Sequence, residues 1–355
     1  MRRPMIESEY GVGRMNKSEF YTFFRGIPKA EIHLHIEAVI STTSIKKLYR
    51  QKYGEEFTDE ALAELFSYSD LNGFIAAFLK VQDLFTSVDD FDLVFADLAQ
   101  YIADNGLAYA EVFFAPSAFL KKGFAYSDIM QNFSRNIARI KQETGVDVRV
   151  LVDVSRTFGI ENAEKNLDIV LAHKIPEVIG IGLGGAESKG PCKDFGPVFE
   201  RARANGLHTV AHAGEDVDAW SIWDALNVLH SERIGHGITA IQDESLMQHL
   251  ADTQLPLEVA PTSNVFTKKY VPSLEEHPVR TFFDKGILVT INTDDPLFFK
   301  VSLLDEYWGL YKKLRFGKSD LKRIILNSFK ASFLDDGAKA DFAAKVEAAW
   351  KAGRH

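Results

Sequence analysis

Two histidines and a glutamate occupy alternate positions in a short apolar run, AEIHLHIEAV (residues 30–39). Residues two positions apart in a β-strand project to the same face, so His33, His35 and Glu37 are expected to point in one direction. Buried imidazoles are costly unless they have partners. Imidazole with carboxylate suits zinc, iron or manganese, so the pattern indicates a metal site.

Similar groups follow three later apolar runs. His212 and Glu215 lie in AHAGE, His236 in GHG, and Asp294 and Asp295 in NTDDP. Each alone has an ordinary explanation, since a histidine near a strand end usually forms hydrogen bonds within the core or rim, and Asp-Asp-Pro is typical of a turn before a helix. We assign that ordinary role, on the surface, at a strand start or in a helix, to His173, His208, His230, His249, His277 and His355.

As a set, the groups of these four runs suit catalysis better than structure. His33, His35, His212 and Asp294 would bring three imidazoles and one carboxylate together, without the thiolates that are common in structural zinc sites. A catalytic metal keeps one position for water and lowers the pKa of that water towards about 7. Four protein ligands plus water would make the ion five-coordinate.

Three polar groups remain for proton transfer. Hydrolysis needs an oriented water and a proton source for the leaving group. Asp295, next to a ligand, is placed to accept a hydrogen bond from the water, and Glu215 could donate a proton if burial raises its pKa. His236 could either help to deprotonate the water or stabilise the charge that develops on it. The residues indicate a metal-dependent hydrolase but do not identify the bond.

Eight apolar runs, separated by longer amphipathic segments, must position these groups. Strands are predicted at 30–36, 109–114, 146–153, 177–183, 207–213, 233–237, 255–261 and 286–293, with helical segments such as 88–106 and 127–145 between them. Gly106, Gly145 and Gly206 are predicted to cap helices. Strand–helix alternation predicts an α/β fold, a (β/α)8 TIM barrel with catalytic groups at the C-terminal strand ends. An open doubly wound sheet is the alternative, without a G-x-G-x-x-G to support it.

The whole chain, 1–355, is predicted to be one hydrolase domain. The long helical segment 37–108 would form a helical insertion after strand one that caps the barrel mouth. About 15 residues at the N-terminus are predicted to be disordered.

Composition and charge exclude several classes of protein. The 355 residues carry a formal net charge of −9 at pH 7, which argues against an extended surface that binds nucleic acid or an anionic membrane electrostatically. No apolar run approaches the roughly 18–20 residues of a membrane span. The single cysteine, Cys192, excludes an intramolecular disulfide and a cysteine-based structural zinc site. We expect a soluble cytoplasmic protein whose partner is a small molecule; its oligomeric state is left open.

The motifs resemble those of the adenosine deaminase family in the amidohydrolase superfamily. PKAEIHLHIEA, GFIAAF, AHAGE, ERIGHGI, LEVAPTSN and NTDDP occur in the family's order over about residues 28–300. The resemblance implies a TIM barrel, one Zn²⁺ (with Fe²⁺ or Mn²⁺ as alternatives), and hydrolytic removal of the 6-amino group of a purine. The implied metal ligands are His33, His35, His212 and Asp294.

The resemblance also implies roles around the purine. Glu215 would share a proton with N1, while His236 and Asp295 handle the attacking hydroxide and Asp295 accepts a hydrogen bond at N7. The backbone N–H of Gly185, in GIGLGGAES, would approach N3, with a simple strand-to-helix turn as the alternative reading. In LNGFIAAF, Phe74 and Phe78 resemble residues that form an apolar gate over the ligand. Ile75, between them, is assigned to ordinary packing onto the barrel.

Departures from the family pattern concern the substrate rim. Many adenosine-specific members have aspartate and glycine where this chain has Glu37 and Ala38. In having glutamate at this position, the chain resembles members that act on free adenine or modified nucleosides. The strand-four loop reads GGAE rather than AGDE. Adenosine is the nearest substrate, with adenine or a modified adenosine as alternatives, and a different amidohydrolase reaction or a non-catalytic nucleoside-binding protein behind them. Cytosine-editing zinc deaminases are excluded because they need P-C-x-x-C.

Overall fold

A single parallel sheet of eight strands organises the computed structural model, which describes residues 15–69, 71–267 and 269–353. Each strand pairs with the next one along the chain. The strands are β1 Lys29–His35, β2 Leu107–Phe114, β3 Asp147–Asp153, β4 Val178–Leu183, β5 His208–Ala213, β6 Arg233–His236, β7 Leu257–Val259 and β8 Val289–Ile291. All eight predicted strands are present. The bounds of β1 to β6 agree with the prediction to within two residues, whereas β7 and β8 are several residues shorter than predicted.

The sheet closes between β8 and β1 through side chains as much as through the backbone. Leu34 forms a parallel bridge with Asp294, just beyond the end of β8. One side-chain oxygen of Asn292 accepts the backbone N–H groups of Ile32 and His33, both at 3.1 Å. The (β/α)8 barrel is therefore confirmed and the open sheet is wrong.

Helices surround the sheet in the order that strand–helix alternation predicts. They are α1 Lys17–Arg25, α2 Thr42–Tyr53, α3 Asp59–Leu65, α4 Leu71–Asp83, α5 Phe91–Asn105, α6 Ser117–Lys121, α7 Tyr126–Thr144, α8 Ile160–Ala172, α9 Gly196–Ala204, α10 Trp220–Asn227, α11 Glu244–Thr253, α12 Pro261–Thr267, α13 Val279–Asp284, α14 Pro296–Phe299, α15 Leu303–Lys313, α16 Lys318–Ala331 and α17 Asp336–Ala352. Gly106 and Gly145 cap α5 and α7 in the left-handed conformation, as predicted. Gly206 does not cap α9, because Asn205 takes that position.

Helices α2 to α5 lie between β1 and β2, within the predicted insertion. Helix α5 packs against β2 and α7, as a barrel helix does. Helix α4 lies elsewhere: its Phe74 and Phe78 rings contact Phe298 of α14, with centroids 5.6 and 5.2 Å apart. Since α14 directly follows Asp295, this contact brings the insertion next to the C-terminal end of β8.

The buried core runs from α1 to α17 and includes every residue of β1 except its last. Within the described ranges, none of the helices combines the length and apolar character that a membrane crossing requires. Residues 1–14, which make up most of the segment predicted to be disordered, lie outside the described residues.

Candidate active site and metal centre

The polar groups selected from the sequence converge at the C-terminal ends of four strands. His33 and His35 lie on β1, His212 on β5 and His236 at the end of β6, whereas Asp294 follows β8. His236 and Asp294 have φ angles of 61° and 64°, a left-handed conformation that costs energy in residues other than glycine. Such strain is typical of functional sites, where the surrounding structure holds a side chain in one position.

His33, His35, His212 and Asp294 each offer one ligand atom, and these atoms all lie within 4.8 Å of one another. Asp294 Oδ1 is 3.2 Å from His35 Nε2 and 3.5 Å from His33 Nε2. His35 Nε2 and His212 Nε2 are 3.3 Å apart. Ligand atoms held at zinc-like bond lengths in tetrahedral geometry are roughly 3.3 Å apart, so these residues fit a divalent metal ion.

Neighbouring side chains orient two members of this cluster. His33 Nδ1 is 2.7 Å from Glu258 Oε2, and this contact directs Nε2 towards Asp294. The Ser263 hydroxyl donates to Asp294 Oδ2 at 2.7 Å, leaving Oδ1 facing the imidazoles. Supporting carboxylates and hydroxyls of this kind are characteristic of metal sites, because they fix the tautomer and direction of each ligand.

The charge of the site also suits a cation. Burial, with the neighbouring imidazoles, holds the pKa of His212 well below its usual value, so its ring is neutral with a free lone pair. Burial opposes protonation of His35 as well, but nearby carboxylates raise its pKa to about 10. Those carboxylates belong to Asp295, Asp294 and Glu37. The same negative field would stabilise a bound metal ion in place of the proton.

Glu215 lies three residues beyond His212, with its side chain 17% exposed. Its backbone N–H donates to Glu187 Oε1 at 3.4 Å, and that of Gly214 donates to Glu187 Oε2 at 3.2 Å. Burial, with the negative charge of Asp294, raises the pKa of Glu215 well above its usual range. The raised pKa favours the protonated form of the carboxyl group, which is the form that a general acid needs.

Asp295 is buried beside the cluster, and its Oδ1 has no hydrogen-bond partner among the described residues. Burial and the adjacent Asp294 raise its pKa well above the usual range. A buried oxygen without a hydrogen-bond partner lowers the stability of the folded state. Such an oxygen is typical of a group that binds substrate or water.

His236 is buried, and its Nε2 lies 3.5 Å from Glu215 Oε2. Burial lowers its pKa to about 3, so the ring is neutral. Its Nδ1 is 2.9 Å from Asn264 Nδ2. An amide nitrogen can only donate, so Nδ1 accepts and the proton of His236 lies on Nε2.

Glu37, the first of the residues predicted to bind substrate, lies outside β1. β1 ends at His35, so Glu37 lies in a short 3-10 turn and does not continue the strand as its spacing suggests. Glu37 is buried, with Oε1 accepting the backbone N–H of Ala115 at 2.9 Å and Oε2 without a partner among the described residues. Burial raises its pKa to about 7.

Gly185 has a φ of 97°, and a Cβ at this position would lie 2.3 Å from the hydroxyl oxygen of Thr157. Backbone conformation and local packing therefore require glycine here, which is what a strand-to-helix turn needs. A contact between the Gly185 N–H and purine N3 stays a prediction.

Phe74 and Phe78 belong to an aromatic cluster that α4 forms with α12, which follows β7, and α14, which follows β8. Phe74 also stacks on Phe299 with centroids 5.1 Å apart and lies 6.5 Å from Phe266. Ile75, assigned to ordinary packing, is instead 36% exposed. The gate role of the two phenylalanines stays a prediction.

Sequence reasoning missed several residues. His277 was assigned an ordinary hydrogen-bonded role on the surface, at a strand start or in a helix. It is hydrogen-bonded, 3.2 Å from Asn264, but it is buried and follows a 3-10 turn, so the predicted location is wrong. Glu258 and Asn264 both lie in LEVAPTSN, a stretch that carries the family resemblance but suggested no role for either. Phe113 lies among the imidazoles, with its ring centroid 4.9 Å from that of His33.

Comparisons with known proteins agree with this geometry. A family model described as adenosine deaminase matches residues 28–349. The chain is 37% identical over 344 residues to the aminodeoxyfutalosine deaminase of Streptomyces avermitilis, covering 94% of this chain and 95% of the relative. It is 33% identical over 327 residues to the adenine deaminase of Chlorobium phaeobacteroides, covering 91% and 97%. The crystal structure of an adenine deaminase from Arthrobacter aurescens matches at 31% identity with a TM-score of 0.87, covering 92% and 99%.

Proposed function

Because this chain belongs to the adenosine deaminase family, we propose that it is a metal-dependent hydrolase that removes the 6-amino group of an adenine-type purine. The products are the 6-oxopurine and ammonia. One observation carries the proposal: three imidazoles and a carboxylate converge within 4.8 Å at the mouth of a barrel, beside the Glu215 carboxyl group, whose pKa is raised.

His33, His35, His212 and Asp294 would hold the metal, with Zn²⁺ as the first candidate and Fe²⁺ or Mn²⁺ as alternatives. When bound, a divalent ion supplies Lewis acidity and lowers the pKa of a coordinated water to about 7.

The chain's own groups then divide the proton transfers. Attack at C6 breaks the aromaticity of the purine ring, and Glu215 lowers this barrier by donating its proton to N1. Of the two protons of the attacking water, one replaces the proton that Glu215 has given up. The other is transferred to the amino group, which leaves C6 as ammonia when the C6–N bond breaks. Asp295 accepts a hydrogen bond from the attacking water and orients it towards C6. His236 donates through Nε2–H, so of the two roles open to it, stabilisation of developing charge fits better than removal of a proton.

The group on purine N9 defines the exact substrate. The aminodeoxyfutalosine deaminases of Streptomyces avermitilis and Streptomyces coelicolor are 37% and 35% identical to this chain, whereas the adenine deaminases of Chlorobium phaeobacteroides and Vibrio parahaemolyticus are 33% and 32% identical. A modified adenosine is therefore our first candidate, followed by free adenine and adenosine. Glu37 Oε2 has no hydrogen-bond partner among the described residues, which supports a role for Glu37 in recognising the group on N9.

A panel assay tests the function. Metal content is measured on the purified protein, and ammonia release is followed with adenine, adenosine, adenosine monophosphate, a 5′-thioether of adenosine and aminodeoxyfutalosine. We expect about one metal ion per chain and release from at least one purine. A metal-loaded protein that releases no ammonia from any of them contradicts the proposal.

Replacing Glu37 with aspartate should change the order of preference among these substrates. The shorter side chain cannot keep both its bond to the Ala115 N–H and the position of its second oxygen. We expect the ratio of kcat/KM values for adenine and for the preferred nucleoside to shift by about 10-fold. Glu55→Asp, at an exposed position between α2 and α3, is the matched control. An unchanged ranking would show that Glu37 does not read the substrate.

A further inference from the structure

A line of hydrogen bonds leads away from His236 on the side opposite Glu215. His236 Nδ1 lies 2.9 Å from Asn264 Nδ2, and Asn264 Oδ1 lies 3.2 Å from His277 Nε2. The line ends on the backbone N–H of Val279, 3.0 Å from His277 Nδ1. All three side chains are buried, at 3% exposure or less.

The direction of every bond in this line follows from its last member. A backbone N–H can only donate, so His277 Nδ1 must accept. Burial lowers the pKa of His277 to about 3, so the ring is neutral and its single proton lies on Nε2. That proton is donated to Asn264 Oδ1.

The same matching of donors to acceptors gives the orientation of the Asn264 amide. Turning the amide over would place its NH₂ against the Nε2–H of His277, with two donors facing each other and no acceptor between them. With Oδ1 facing His277, Nδ2 faces His236 and donates to its Nδ1. The Val279 N–H thus determines which nitrogen of His236 carries the proton, across two intervening side chains.

We propose that Asn264 and His277 are positioning residues, which hold the His236 imidazole as the Nε2–H tautomer so that a donor faces Glu215 and the reacting groups. This inference rests on the proposed deaminase reaction for its kinetic consequence, but not for its structural content. Without the relay, a lone pair on His236 Nε2 could face Glu215 and attract the proton that Glu215 should deliver to the purine.

Asn264→Asp tests the relay with almost no change in shape. A carboxylate has no proton to donate, so His236 Nδ1 must become protonated to remain satisfied. In two-bond ¹H–¹⁵N spectra of ¹⁵N-histidine-labelled, Zn²⁺-loaded protein, Nδ1 of His236 should be unprotonated in the native chain and protonated in the variant. The His236 signals are assigned from their loss in His236→Gln. Turnover should fall by about 100-fold with KM and metal content near native values.

His277 offers a second and independent comparison. His277→Gln retains an N–H that can donate to Asn264 Oδ1, whereas His277→Leu does not. We expect His277→Gln to keep most of the native turnover and His277→Leu to lose about 10-fold or more. This pair decides the question if Asn264→Asp fails to fold or to bind metal.

Three results would overturn the inference: a protonated His236 Nδ1 in the native protein, an unprotonated Nδ1 in folded Asn264→Asp, or equal turnover of His277→Leu and the native chain. A native protein that shows the expected tautomer but deaminates no purine contradicts only the proposed function. An active deaminase with the other tautomer contradicts only the relay.

Discussion

Glu215→Gln is expected to lower kcat about 1,000-fold while the protein keeps its metal. Glutamine has the same shape and can donate a hydrogen bond, but it cannot transfer a proton to purine N1. The native carboxyl group can, because burial and the charge of Asp294 raise its pKa well above the usual range. Steady-state ammonia release and metal analysis on the same preparation measure both parts of the prediction.

The position of the variant side chain should be almost unchanged. The backbone N–H of Glu215 is held by Glu187, and this contact does not involve the carboxyl group that is replaced. Glu161→Gln makes the same substitution at an exposed position in α8 and should retain native turnover. Turnover of Glu215→Gln close to the native value would remove Glu215 from its role as acid.

Removal of the metal by a chelator should abolish measurable turnover, and one equivalent of Zn²⁺ should restore it. Without the ion, hydroxide is scarce at neutral pH, because the pKa of free water is about 15.7 rather than about 7. The chelated protein should also unfold at a lower temperature, since an ion that binds only the folded state stabilises that state. The buried ligand groups would then lack the cation that their charge favours.

A variant pair separates loss of the metal from damage by the chelator. His212→Ala removes one buried ligand and should neither bind Zn²⁺ tightly nor recover on addition of the ion. His173→Ala, at an exposed position beyond α8, should respond to chelation and Zn²⁺ as the native chain does. Full turnover in the chelated protein, or in His212→Ala, would contradict the metal site.

The strands, the catalytic groups and two of the helix caps could be predicted because each is encoded by residues that are close together in the sequence. Each strand is a short apolar run that is visible without its partners, and the catalytic groups follow those runs because parallel strands in a barrel end at a common mouth. The family motifs lie on the same runs. Helix C-caps were predictable where left-handed glycine directly follows the helix, as at Gly106 and Gly145. At Gly206 the prediction was wrong by one residue: α9 ends at Ala204, Asn205 takes the cap position, and the left-handed Gly206 follows it.

The sequence by itself thus determined the barrel, the order of its strands and the residues that could hold a metal. Only the tertiary structure decided how those residues are supported: Glu258 reaches His33 across 225 positions of sequence, and Asn292 closes the barrel on β1. The tertiary structure also brought His277 and His236 to the two ends of one amide, that of Asn264, which no sequence pattern indicated. A hydrogen bond depends on the distance and direction between two groups in space, and for residues far apart in sequence no local pattern encodes either quantity.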